Sequence, residues 1–236
     1  MPTLRIIGPG RAGGSLAVAL ERAGWRLAGF LGRGDGLAAA AADVDLLVIA
    51  TPDGAVADVA AAIDPVPSAV VAHVAGSLGL DVLMPHARRA AIHPLVSLPT
   101  PAVGAERLVG AWFGVAGDGV AVEVVEALGG RWFEVADANR AAYHAAATIA
   151  SNHLVVLLAQ VERVAATAGV ELAPYLDLVR ATVENVAELG TRAALTGPAA
   201  RGDGATIERH LAALDPTERP LYEALAAEAR RLAACG

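Results

Sequence analysis

The stretch TLRIIGPGRAGGSLAVALER, residues 3–22, decides the fold. Residues 3–8 form a short apolar run ending on Gly8, the pattern of a buried strand. Residues 12–23 then place Leu16, Ala19, Leu20 and Ala23 on one helical face. Between them, Gly8-Pro9-Gly10-Arg11-Ala12-Gly13 fits G-x-G-x-x-G. In a chain with 25 glycines that pattern alone is weak; its place between a strand and a helix gives it weight. Gly8 would permit the tight turn, Gly10 a close approach of backbone to a pyrophosphate, and Gly13 the packing of helix on strand. The anion would sit on free N–H groups at a helix N-terminus.

Reading outward, strand patterns recur at 25–33, 45–52, 68–76, 90–98, 112–117 and 131–136. Helical spacing appears at 53–63 and 122–130, and the alanine run 38–42 reads as helix. Strands alternating with helices predict an α/β fold with a doubly wound, mainly parallel sheet. After Asp137 the strand signal stops. Residues 139–168 read as one long helix stopped by Gly169; further helices follow at 174–195, 205–214 and 216–233. The expected organisation is a nucleotide-binding domain over 1–137 and an all-helical domain over 138–236.

Composition limits the chemistry. The 236 residues carry a net charge of −7, which disfavours a nucleic-acid partner. All 18 basic residues are arginine. The missing lysine excludes a Schiff base, a Walker-type phosphate lysine and a lysine general acid within this chain. The single cysteine, Cys235, can form neither an internal disulfide nor a multi-thiolate metal site, and no metal-ligand spacing stands out. The first residues lack the pattern of a signal peptide, so a cytoplasmic location is expected. The longest apolar stretch, 141–161, contains His144, Ser151, Asn152, His153 and Gln160. It reads as a helix buried in a soluble domain, with no membrane partner.

The second strand ends at Gly32-Arg33, where an NAD site usually offers an acidic residue to the ribose. A guanidinium there suits a 2′-phosphate, with Arg11 assisting, and predicts NADP(H). The alternative leaves Arg33 solvated and gives Asp35 the acidic task. Ala50, Thr51 and Pro52 follow the third strand and would line the cofactor crevice, while Asp53 would cap the next helix.

The polar candidates for catalysis lie beyond the strands. His93 precedes Pro94, which should end the fifth strand and leave the histidine at the sheet's carboxyl edge. A histidine titrating near neutrality could exchange a proton there. Ser77 follows the fourth strand, with His73 before it. His144, Thr148, Ser151 and Asn152, at i, i+4, i+7 and i+8, would form a polar stripe facing a wet crevice or a helix–helix network. Arg201 could hold a substrate carboxylate, with Asp203 beside it, or the two could form a structural pair. Asp177, Arg180, Glu184 and Glu188 read as a solvated face.

On IIGPGRAGGSLA, ATPD, HVAGS, IHPL, YHAAATIASNHL and LTGPAARGD, the chain resembles a bacterial family of Rossmann-like oxidoreductases with a helical C-terminal domain of unknown function. That family is similar to the 6-phosphogluconate dehydrogenase-like group, which includes pyrroline-5-carboxylate reductase, ketopantoate reductases and prephenate dehydrogenases. The resemblance implies catalysis between the two domains, a homodimer formed through the helical domain, and a small-molecule substrate. In ketopantoate reductases a catalytic lysine stands four residues before an asparagine. Asn152 matches the asparagine, and Thr148 stands where the lysine would be. Ser77 and His93 resemble the serine and His-Pro histidine of prephenate dehydrogenases. The resemblance therefore implies reduction of a small oxo acid, ketopantoate above others. His93, Asn152 and Ser77 would be catalytic, and His144, Ser151, Arg201 and Asp203 would bind substrate. Oxidation of a cyclohexadienyl acid and a non-catalytic NADP sensor are the alternatives.

Overall fold

In the computed structural model, which describes residues 1–234, two compact units divide after Ser151. Cys235 lies outside the described residues. The first unit is a seven-stranded sheet of order β2-β1-β3-β4-β5-β6-β7, flanked by helices, and is a Rossmann-like fold. Its strands are β1 (Thr3–Ile7), β2 (Arg26–Leu31), β3 (Leu46–Ile49), β4 (Val70–His73), β5 (Arg89–Pro94), β6 (Trp112–Gly117) and β7 (Arg131–Glu134). All neighbours pair in parallel except β5 and β6. Each strand falls on an expected segment but most end up to four residues earlier than read, and β5 stops at Pro94, which lacks the N–H that would continue the ladder.

Both faces of the sheet are covered, so its central strands are mainly apolar, β3 wholly so. Leu4, Ile6 and Val48 join one core with α1 (Arg11–Arg22), α3 (Pro101–Leu108) and α4 (Val120–Ala127). Ile7, Leu47, Ile49 and Val71 join the other with α2 (Val56–Ala61). Helix α3 is absent from the sequence reading. Its Thr100 side chain accepts from Val103 N, and Pro101 opens its first turn. It packs on α1 through a seam of small residues: a Cβ on Gly14 would stand 3.0 Å from Pro101, and one on Gly104 only 2.0 Å from Ser15 Oγ.

Residues 38–42 form turns and not the expected helix, because their carbonyls serve another partner. The Arg5 guanidinium donates to Ala40 O at 2.6 Å and Ala42 O at 3.1 Å. The expected long helix 139–168 is also interrupted. Helix α5 (Arg140–Thr148) stays with the sheet unit, a π-helical turn covers Ile149–His153, and α6 (Leu154–Thr167) follows.

The second unit contains α6, α7 (Ala173–Ala194, kinked at Gly190), α8 (Gly204–Ala213) and α9 (Arg219–Ala234). Arg163 and Glu218 pair at 2.5 Å, while Arg180 bonds Asp177 on the solvated face expected there. The stretch Asp137–Thr167 is long and apolar enough to cross a membrane by length and composition alone. Contrary to the expected burial, its most apolar window is not buried within the chain; Ile149, Val155 and Val156 stand exposed.

The α1–α3 seam gives the first prediction. Gly104→Ala drives a methyl into Ser15, which is fully buried with its hydroxyl donating to Arg11 O at 2.6 Å. The variant should lose about 1–3 kcal/mol of unfolding free energy, read from the urea midpoint.

Candidate functional site

Because β1, β3, β4 and β5 run parallel, their carboxyl ends meet along one edge. There the glycine turn is tightly constrained. Gly8 sits at φ +99°, and a Cβ on it would meet Ala50 O at 2.7 Å. A Cβ on Gly13 would stand 2.1 Å from Gly8 O and 3.0 Å from Ile6. Gly10 differs: a Cβ there would meet nothing within 4 Å. The position is open in the described chain, so a ligand can approach the backbone there. Gly10 also starts α1 with no side-chain cap, leaving first-turn N–H groups to an external acceptor. Pro9 and Arg11 are exposed beside it, and Ala12 is half-buried. Thr51 Oγ1, next to Ala50 and Pro52, is buried without a hydrogen-bond partner. These residues fit a bound dinucleotide.

Arg33 is exposed just past β2, and among the described residues it forms no ion pair or hydrogen bond. Asp35, the acidic alternative, already accepts from Gly32 N at 2.7 Å.

Asp53 does not cap the following helix, whose start carries no side-chain cap. It accepts instead from Ser77 Oγ at 2.8 Å. The Ser77 proton is therefore engaged, and its lone pairs are what it offers a ligand.

His93 stands at the carboxyl end of β5 as predicted, in a cluster assembled by α5. Its Nδ1 is hydrogen-bonded to Tyr143 Oη at 2.6 Å, and the rings meet edge to face. His144 packs at right angles to it with centroids 5.5 Å apart, and His144 Nδ1 is buried without a partner. Two glycines make room. A Cβ on Gly76 would stand 2.3 Å from His144 Nδ1 and 2.8 Å from His93 Nε2. A Cβ on Gly114, the cross-strand partner of His93, would stand 2.8 Å from Tyr143 Oη. His73 is fully buried and donates from Nε2 to Gly79 O at 3.2 Å.

Beneath this cluster lies Arg140, fully buried. Its Nε is 3.6 Å from Asp137 Oδ1, too long for a hydrogen bond, and all three guanidinium nitrogens lack a hydrogen-bond partner. Such a group is costly to bury. Its charge acts on both His93 and His73.

The electrostatics correct one expectation. His93 does not titrate near neutrality: burial, then the His144 and Arg140 charges, pull it down to about 4. It is a neutral imidazole at pH 7. Burial lowers His73 as well and raises Tyr143.

Other predicted residues have their own environments. Thr148 ends α5, and the π turn that follows breaks the expected stripe of His144, Thr148, Ser151 and Asn152. Ser151 Oγ donates to Ala147 O at 2.7 Å, and Asn152 and His153 are exposed. In the helical unit, Arg201 donates to Thr196 O and forms no ion pair with Asp203. Asp203 caps α8, accepting from Thr206 N at 3.0 Å and Thr206 Oγ1 at 2.7 Å. Sequence reasoning missed Tyr143 and Arg140. An aromatic residue and an arginine beside a histidine carry no spacing signal, and only the packing of α5 brings them together.

Known proteins resemble the chain at the level of family and of fold. The family model described as a domain of unknown function, DUF2520, matches residues 112–229, half of the chain. The chain belongs to that family. The matched region includes Arg140, Tyr143, His144 and Asn152. No curated protein matches the chain. Solved structures with the same fold include a Bacteroides fragilis protein provisionally designated an NADP oxidoreductase, at 21% identity and a TM-score of 0.80, covering 98% of both chains. An Aspergillus terreus reductive aminase solved with NADPH shares 18% identity, with a TM-score of 0.71, over 98% of this chain and 94% of the other. A Plasmodium falciparum pyrroline carboxylate reductase with NADP bound shares 13%, with a TM-score of 0.64, over 99% and 98%.

The lowered histidines make stability depend on acid. The unfolded chain protonates His93 near pH 6.5, and the folded chain only near 4. Stability is therefore full above 6.5 and falls as pH drops from 6.5 to 4, by no more than about 3 kcal/mol from His93. Urea titrations across that window should show the fall, and His93→Gln should flatten it.

Proposed function

We propose that this DUF2520-family chain is an NADP(H)-dependent oxidoreductase that reduces a small oxo acid, with ketopantoate the foremost candidate substrate. The observation that carries the cofactor reading is the turn at Gly8, Gly10 and Gly13, open only at Gly10 and ending on an uncapped helix. Free Arg33 supports the 2′-phosphate form. Two proteins of the same fold are solved with NADP or NADPH. Gly8, Pro9, Gly10, Arg11, Ala12 and Gly13 would hold the pyrophosphate; Ala50, Thr51 and Pro52 would line the crevice.

When bound, the cofactor supplies a hydride. The chain's own residues orient the acceptor and manage the charge that forms on it. Neutral His93 offers hydrogen bonding and no formal charge. The buried Arg140 charge, felt at His93, favours an oxygen that becomes negative over a cationic iminium nitrogen. That supports an oxo substrate over an imine, although two of the structural relatives are named for imine chemistry. Ser77 would accept from a substrate hydroxyl. Asn152, His144 and Ser151 would orient the substrate, and Arg201, with Asp203 fixing the start of α8, would hold its carboxylate.

A homodimer through the helical domain belongs to the same proposal. It is supported by exposed Val155 and Val156 on α6 and by Leu178, Val183, Val186 and Leu189 on α7. Light scattering would then give twice the 23.8 kDa chain mass. A cytoplasmic location suits a cofactor of this kind.

NADPH oxidation followed over a panel of 2-oxo acids, ketopantoate included, tests the reaction; no turnover with any of them overturns it. Arg33→Asp should weaken NADPH binding about 10- to 100-fold and leave NADH binding the same or better. Unchanged preference in fluorescence titrations would refute the phosphate assignment.

A further inference from the structure

We propose that Tyr143 delivers the proton to the substrate oxygen, with His93 as the relay that recharges it; this rests on the reductive reading given above. The geometry is specific. Tyr143 Oη and His93 Nδ1 are 2.6 Å apart at the carboxyl edge of the sheet. The hydroxyl stands over Gly114, where any side chain would displace it. His93 Nε2 faces the space left by Gly76, next to His144. The chain has thus left out two side chains to seat three rings.

The chemistry follows from which group carries a proton. At pH 7 His93 is neutral, held down by burial, so no imidazolium is available there. The chain has no lysine to take its place. The phenol is protonated, since burial raises it. Losing that proton is eased by Arg140, whose charge acts against the effect of burial on Tyr143. Its one ion-pair partner, Asp137, stands at the long distance of 3.6 Å and is half-exposed. The charged or titratable groups acting on the pair are His73 from β4, Asp53 after β3, and His144 and Arg140 on α5; Asp137, just before α5, pairs with Arg140.

In the step, the carbonyl carbon receives the hydride from NADPH, and the carbon–oxygen π pair moves to oxygen. That oxygen takes the phenolic proton of Tyr143. The phenolate then takes the Nδ1 proton of His93, while Nε2 accepts one from water. The sum is one hydride and one proton added to the carbonyl, with NADPH oxidised to NADP+.

The test is Tyr143→Phe in the full chain, which keeps the ring and removes only the hydroxyl. With an oxo acid that the unaltered enzyme reduces, kcat should fall about 100-fold or more, while KM and NADPH affinity stay within a few-fold. Nitrogen NMR of His93 should show a changed tautomer balance, because the Nδ1 partner is gone. A variant with full kcat, or one whose His93 signals are unmoved, overturns the proposal and leaves the reductive reading standing. An unaltered enzyme that binds NADPH and turns over no oxo acid overturns both.

Discussion

The register of β6 against β5 is the constraint on which the polar corner depends. The two strands run antiparallel, and facing residues there lie side by side. His93 faces Gly114, so the space beside the imidazole is empty of side chain and the Tyr143 hydroxyl occupies it. A slip of one residue would set Phe113 or Val115 opposite His93 and turn their side chains to the other face. The hydrogen bond to Tyr143 would have no room. The seat of α5 at this edge, and the burial of Arg140 beneath it, rest on that contact.

Much of the sheet is legible from the chain alone, for local reasons. Buried parallel strands announce themselves as apolar runs, and the turn at Gly8 and Gly13 needs residues without side chains. His93 could be placed because Pro94 ends its strand. Its protonation could not, because that depends on burial and on Arg140 and His144, which arrive from a different part of the chain. Helix α3 escaped because it packs through Gly104 and Ala105 and lacks a stripe of large apolar residues. The run 38–42 has helical composition, but Arg5 claims its carbonyls. The π turn left no trace in spacing either; one extra residue per turn is invisible until the hydrogen bonds are seen.

The helical unit shows the reverse mismatch between hydropathy and burial. Its sequence is apolar enough to suggest a core, yet of its described residues only Ala165, Ile207 and Ala226 are buried apolar side chains within the chain. The sheet unit holds two continuous cores of its own. The mean hydropathy of +0.49 therefore describes two different situations, one satisfied within the fold and one that leaves apolar side chains exposed on the chain.

Arg140 has a cost that sets it apart from the rest of the core. A methionine of similar length would fill the same space without a buried cation whose nitrogens lack hydrogen bonds, and by the general behaviour of buried charges would make the fold more stable. Selection for stability alone would remove the arginine. The thermodynamically improvable position in this domain thus lies beneath its polar corner, which is where stability and activity are expected to trade against each other.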